Sequence, residues 1–242
     1  MSRERLHVWP ALLLAALAFD ARAGEDAVPA AEPLAAENEW ARKLEAVRAK
    51  LRGGEVLFKD DFDREELGAE WIVEEGAWKT SKAAGREGAG VLGAPGATYP
   101  DSFLWTKRSF KGDLVVEFDA VCESDPAHDI NFVICGKAPN YPPPEKPMYL
   151  FGLGGWGNTM TGVERGPDYK WKALTGLFTI EKGRLYRVVA ARLGSKFYLF
   201  VDDRLVTMAA DPDPLPNEGQ FALQVYRSAV RFSNLVLRKP GK

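Results

Sequence analysis

The sequence predicts an all-β protein, a sandwich or barrel in one domain, preceded by one N-terminal amphipathic helix. From Glu55 onward, short runs rich in β-branched and aromatic residues recur between Gly, Pro, Asp and Asn. They fall at 56–62, 71–73, 103–110, 114–122, 130–135, 148–153, 185–192, 197–201, 205–208, 221–226 and 230–237. Strands at this spacing, with turn residues between them, build sandwiches and barrels. No helical pattern separates them, which excludes the alternating strands and helices of a parallel α/β sheet.

Taken in order, residues 1–23 read as a secretory signal peptide. Arg3 and Arg5 supply a basic start, an apolar core runs from Trp9 to Phe19, and Ala21-Arg22-Ala23 is an A-x-A cleavage site. That core is shorter than the roughly 20 residues needed to cross a hydrocarbon layer. The membrane is therefore expected to matter only during export, and the mature protein to be secreted or periplasmic. Residues 24–37, rich in Ala, Glu, Asp and Pro without apolar periodicity, read as a linker. The helix follows over 38–53: Asn38 can cap it, Trp40, Leu44, Val47 and Leu51 share one face, and Gly53-Gly54 end it. Its other faces carry Arg42, Lys43, Arg48, Lys50 and Arg52. A helix packed on its own domain fits this pattern, and so does a docking helix for a partner in the cell envelope. The sandwich is expected over 55–240. Its clearest hairpin joins 197–201 to 205–208 around Asp202-Asp203-Arg204.

Composition removes several function classes. The chain has 32 Lys+Arg against 34 Asp+Glu, so it lacks the basic footprint of a nucleic-acid binder. His7 lies in the leader, which leaves His128 and excludes a zinc site built on two or three histidines. Cys122 and Cys135 sit on consecutive strands at different distances from the intervening turn. That offset favours buried free thiols over a disulfide.

The stretch 148–166, MYLFGLGGWGNTMTGVERG, gathers aromatic, amide and charged residues around a glycine-rich break between two strand-like runs. A proline cluster, 142–144, lies just upstream. Sites built on a sheet scaffold often take this form. Gly152 to Gly157 formally satisfies G-x-G-x-x-G, but the dinucleotide mechanism needs a helix to follow it. The following residues are β-branched and lead to Gly162 and Pro167, so no nucleotide is expected. The glycines read as bends that leave room for a ligand beside Trp156. On 114–122, alternation puts Glu117, Asp119 and Glu123 on one face. Their spacing invites comparison with the E-x-D-x-x-E strand of retaining β-glucanases. Glu117 and Glu123 would stand roughly 20 Å apart, whereas a retaining pair needs about 5–5.5 Å. Glu117 and Asp119 could instead bond sugar hydroxyls, and Asp119 could help hold a calcium ion. Trp71 and Trp78 are expected in the core. Trp156 is expected to meet the ligand, since flat rings suit the apolar faces of sugars while amides and carboxylates meet hydroxyls.

Whole segments carry a resemblance. Val56-Leu-Phe-Lys-Asp-Asp-Phe, Leu104-Trp-Thr-Lys, Gly112-Asp-Leu-Val-Val-Glu-Phe-Asp-Ala, Gly219-Gln-Phe-Ala-Leu-Gln-Val and Val230-Arg-Phe-Ser-Asn-Leu-Val-Leu-Arg follow the order of concanavalin A-like jelly rolls. They resemble in particular the 3-keto-disaccharide hydrolase-type domains and their secreted bacterial relatives. The resemblance implies a two-sheet antiparallel jelly roll whose concave face meets an oligo- or polysaccharide. Where the hydrolase-type members tend to have Asn-Ser-Gly, this chain has His128-Asp-Ile-Asn131. The expected function is thus a secreted carbohydrate-active protein, with a non-catalytic carbohydrate-binding module and a cell-envelope interaction domain as alternatives. The expected site combines Asn131, Tyr149, Trp156, Asn158 and Arg165 as binding residues with Glu117, Asp119 and Glu164 as candidate acids or bases for glycosidic cleavage.

Overall fold

The computed structural model describes residues 32–81, 89–96, 101–140 and 146–242, with side chains from residue 39 onward. The expected leader, linker residues 24–31 and the proline cluster 142–144 lie outside the described residues. The chain divides into two units, Met1–Arg42 and Lys43–Lys242. Helix α1 runs over Glu32–Arg52 and so begins upstream of the expected cap at Asn38, within the stretch expected as linker. The physical reason is local. Pro33 is tolerated in a first turn, and the Ala and Glu residues that follow are good helix formers despite lacking an apolar stripe. No helix among the described residues is long and apolar enough to cross a membrane.

Fifteen strands follow among the described residues: β1 (Val56–Asp60), β2 (Trp71–Glu74), β3 (Ala77–Ser81), β4 (Gly90–Ala94), β5 (Asp101–Lys111), β6 (Leu114–Cys122), β7 (Ile130–Gly136), β8 (Met148–Gly154), β9 (Met160–Gly166), β10 (Lys172–Thr175), β11 (Leu185–Leu193), β12 (Lys196–Val201), β13 (Arg204–Ala210), β14 (Glu218–Tyr226) and β15 (Val230–Arg238). All pairings are antiparallel. One sheet has eight strands in the order β13-β12-β11-β6-β15-β4-β3, with β1 also paired to β15; the other has seven, β10-β9-β8-β7-β14-β5-β2. The sequence did not single out β3, β4 or β10. Glycines break the pattern of β4, and one of them is a packing requirement: a Cβ on Gly93 would stand 2.6 Å from the Trp78 ring.

Alternation within each strand sends one set of side chains between the sheets. Phe118 from β6 meets Phe132 from β7 edge to face at 5.2 Å, and Phe132 stacks on Phe151 at 4.7 Å. Trp71 and Trp78 both belong to this core. Burying each such ring stabilises the fold by about 1.5–3 kcal/mol. The hairpin β12–β13 turns through Asp202 and Asp203, both with positive φ (49° and 61°). Two left-handed residues match the twist of the flanking strands.

The two outer faces differ. On the eight-stranded sheet, Leu44, Val47 and Leu51 of α1 pack against Val115, Ala191, Tyr198 and Phe200. Arg48 donates to the Asp203 carbonyl at 2.8 Å, so the part of this helix from Lys43 onward, which belongs to the second unit, is docked on its own sheet. On the seven-stranded sheet, one part of the outer face carries Phe103, Trp105, Val133, Met148 and Ala222, against which Ala138 of the β7–β8 connection packs. The neighbouring part of that face is uncovered among the described residues.

Candidate functional site

The uncovered part is built by strand register. Outward side chains cross the sheet in a row from Phe103 through Gln224, Asn131, Gly152 and Gly162 to Leu174. A neighbouring row runs Val133, Leu150, Glu164, Lys172. In the first row two paired strands contribute no side chain at all, and the floor there falls to bare backbone. The result is a cavity of about 310 Å³. Gly162 is required sterically, whereas a side chain at Gly152 would push on the tip of Asn131. A Cβ on Gly152 would stand 2.8 Å from Asn131 Oδ1, and one on Gly162 would stand 2.0 Å from the Ala173 carbonyl oxygen.

Polar groups converge on this trough. Gln224, 2% exposed, donates from Nε2 to Asp101 Oδ1, while its Oε1 is buried with no hydrogen-bond partner among the described residues. Asn131, 4% exposed, donates from Nδ2 to Asp129 Oδ1 at 3.4 Å. The other oxygen of Asp129 lies 2.8 Å from His128 Nδ1. Burial pushes the Asp129 carboxyl above the ordinary range, against the lowering effect of His128 and Asn131. Burial does the same to Glu164, opposed by Lys172. Lys172 Nζ stands 3.9 Å from Glu164 Oε1, beyond hydrogen-bond reach, and that oxygen is also buried without a partner among the described residues. Two carboxylates displaced upward in one recess are a frequent mark of a functional site.

The wall is a tight turn between β8 and β9. Gly154, Trp156, Gly157 and Asn158 all have left-handed backbones, with φ between 56° and 67°. Trp and Asn in that region are strained, which requires surrounding bonds to hold them. Asn158 supplies them: its Nδ2 donates to the Ile180 carbonyl at 2.7 Å and its Oδ1 accepts from the Ile180 amide at 2.8 Å. Thr161 Oγ1 accepts from the Gly154 amide and donates to the Phe178 carbonyl. The turn leaves the Trp156 ring 63% exposed, with Lys172 Nζ 5.5 Å from its centroid. The G-x-G-x-x-G stretch is this turn, so no helix follows it to meet a pyrophosphate.

Of the residues expected to form the site, Asn131, Trp156 and Glu164 come together here, and the others do not. Glu117 and Asp119 face outward from β6, on the other sheet. Glu117 pairs with Arg238 at 2.9 Å and Arg187 at 3.4 Å, and Asp119 accepts from Asn234 at 2.7 Å. Tyr149 and Arg165 stand opposite each other in register but point into the sandwich. There the Tyr149 hydroxyl donates to Asp211 at 2.8 Å and accepts from the Leu215 amide, and Arg165 pairs with the same Asp211 at 3.0 Å. Burial, with Asp211 adding to it, pushes the Tyr149 hydroxyl up to about 12. Asn158 is taken up by the turn. Among the described residues no three or more His, Cys, Asp or Glu side chains stand together as metal ligands, and Asp119 has no such companions. Asp101, Asp129 and Gln224 were not anticipated. Asp129 carried a usable signal, since it lies two residues before Asn131 and so shares its face.

The architecture is that of a concanavalin A-like jelly roll. No protein-family model matches the chain, and no curated protein sequence matches it significantly. Solved structures share the fold at low identity. The carbohydrate-binding module CBM66 from Bacillus subtilis is 20% identical, with a TM-score of 0.56 over 70% of this chain and 95% of its own. A Bacillus subtilis protein described as having a galectin-like fold is 10% identical, with a TM-score of 0.63 over 78% of this chain and 98% of its own. The cellulose-induced protein Cip1 is 12% identical, with a TM-score of 0.58 over 75% and 97%.

Proposed function

We propose that the protein is exported and recognises an oligo- or polysaccharide on the outer face of its seven-stranded sheet, in the trough beside Trp156. One observation carries this reading: an exposed indole stands over a recess whose buried amides and carboxylates are incompletely bonded. A sugar presents both an apolar ring face and a set of hydroxyls, and so fits such a recess. Similarity in fold to a carbohydrate-binding module supports it. The test is a glycan-binding and turnover screen on the protein lacking residues 1–23, with and without calcium. Binding that Trp156→Ala weakens is the expected result; a full screen without a single binder would sink the proposal.

A second reading, glycosidic cleavage, is favoured by the raised carboxyls of Glu164 and Asp129. A carboxyl raised above its ordinary range keeps its proton to higher pH than an ordinary one and can give it to a leaving-group oxygen, while a second carboxylate activates water or attacks the anomeric carbon. Release of new reducing ends by the wild type, abolished in both Glu164→Gln and Asp129→Asn, would establish it. Binding without turnover on every ligand would leave a non-catalytic module.

A further inference from the structure

We infer that the trough selects by charge: it takes sugars that donate hydrogen bonds, preferring one with a free ammonium group, and rejects uronate and sulfated sugars. This rests on the glycan reading above. The charged side chains lining the trough among the described residues are Asp101, Asp129 and Glu164, all acidic. Among the described residues two cations stand against lining rings without lining the trough themselves: Arg227 over Tyr226, and Lys172 over Trp156, the lysine pairing with Glu164 Oε1 at 3.9 Å, too far to hydrogen-bond it.

The bonding deficit has the same sign. Among the described residues, the two buried polar atoms of the trough without a hydrogen-bond partner, Glu164 Oε1 and Gln224 Oε1, are both acceptors. The amide groups that could donate are already turned toward carboxylates, Gln224 to Asp101 and Asn131 to Asp129. What the recess lacks is therefore a donor. A hydroxyl supplies one, and an ammonium supplies up to three with a charge that matches Glu164.

An acidic sugar meets the opposite situation. Its carboxylate or sulfate would be brought beside three acidic side chains, and among the described residues no arginine lines the trough, Arg227 being laid over the Tyr226 ring. Arg165, the arginine that the sequence offers nearest to the site, is turned inward onto Asp211. Arg187 and Arg238 serve Glu117 on the other sheet.

The test uses an array on which neutral, amine-bearing and uronate sugars are each displayed in several linkages, followed by calorimetric titration of the hits. Amine-bearing forms should bind about tenfold more tightly than their neutral or N-acetylated counterparts, and uronates should not appear among the hits. In Glu164→Gln the ratio of amine to neutral affinity should fall to about one, whatever happens to the absolute affinities. A uronate that binds as well as its neutral counterpart overturns the inference, as does an amine preference that survives in Glu164→Gln. An array with no hits overturns the glycan reading itself, and this inference with it.

Discussion

Replacing Trp156 with Ala separates a ligand platform from a structural ring. The side chain is 63% exposed, and Lys172 stands over the ring face. A tryptophan offers up to about 250 Å², so a sugar stacked on one face would cover roughly 60–80 Å². At about 25 cal/mol per Å² that is about 1.5–2 kcal/mol, or a rise in Kd of about 10- to 30-fold. Folding stability should change far less. The ring is mostly in solvent already, and alanine inherits the same left-handed backbone strain. Loss of the Lys172 contact costs about 0.5–1 kcal/mol at an exposed site, a shift of no more than about 4 °C in a domain of this size. Calorimetric titration and a thermal melt on the same preparation give both numbers. A fall of about 8 °C or more, or an unchanged Kd, would refute the reasoning, the first by making Trp156 a structural ring and the second by removing it from the ligand.

Three further substitutions probe the rest. Gly152→Ala should weaken glycan binding at least about tenfold by filling the floor and pushing on Asn131, with a stability loss below about 2 kcal/mol in urea melts. Tyr149→Phe should do the reverse: it strands the Leu215 amide and one bond to Asp211, costing about 1–3 kcal/mol of stability, while titration shows glycan affinity unchanged within about twofold. Glu164→Gln should raise the melting temperature at pH 7, with the gain vanishing near pH 4. Burial holds the folded-state carboxyl above its ordinary value, so the folded protein takes up this proton first as pH falls. Wild-type stability from this group therefore rises as pH drops from the raised value to the ordinary one, and the advantage of the neutral amide disappears over that window. A gain that persists at pH 4 would show that the substitution acts through packing.

Alternation along strands was legible in the sequence and gave the fold class, most strand positions and the inward or outward sense of many side chains. It does not say which sheet a strand joins. Glu117 and Asn131 both point away from the core, yet β6 and β7 belong to different sheets, so the two residues lie on opposite sides of the molecule. Parity is local, whereas sheet membership depends on long connections. Tyr149 was misplaced for a different reason. Its parity matches Phe151 and Leu153, both core residues, and the hydroxyl drew attention away from that match. The inward turn of Arg165 was not readable, because its partner Asp211 sits in a distant loop between β13 and β14. Gln224 was hidden within an apolar strand, where a single amide reads as incidental until the register sets it beside Asn131.

The facing pair Gly152 and Gly162 makes this recess by subtraction, and that has an evolutionary consequence. Any substitution at either position adds atoms, so mutation there can only narrow the range of ligands admitted. At Gly162 the neighbouring strand's backbone forbids even a methyl group. Descendants of this chain that come to accept bulkier ligands would therefore have to change the rim, through the length or sequence of the Trp156 turn. The floor acts as a ratchet, and diversification among related proteins should concentrate in the loop.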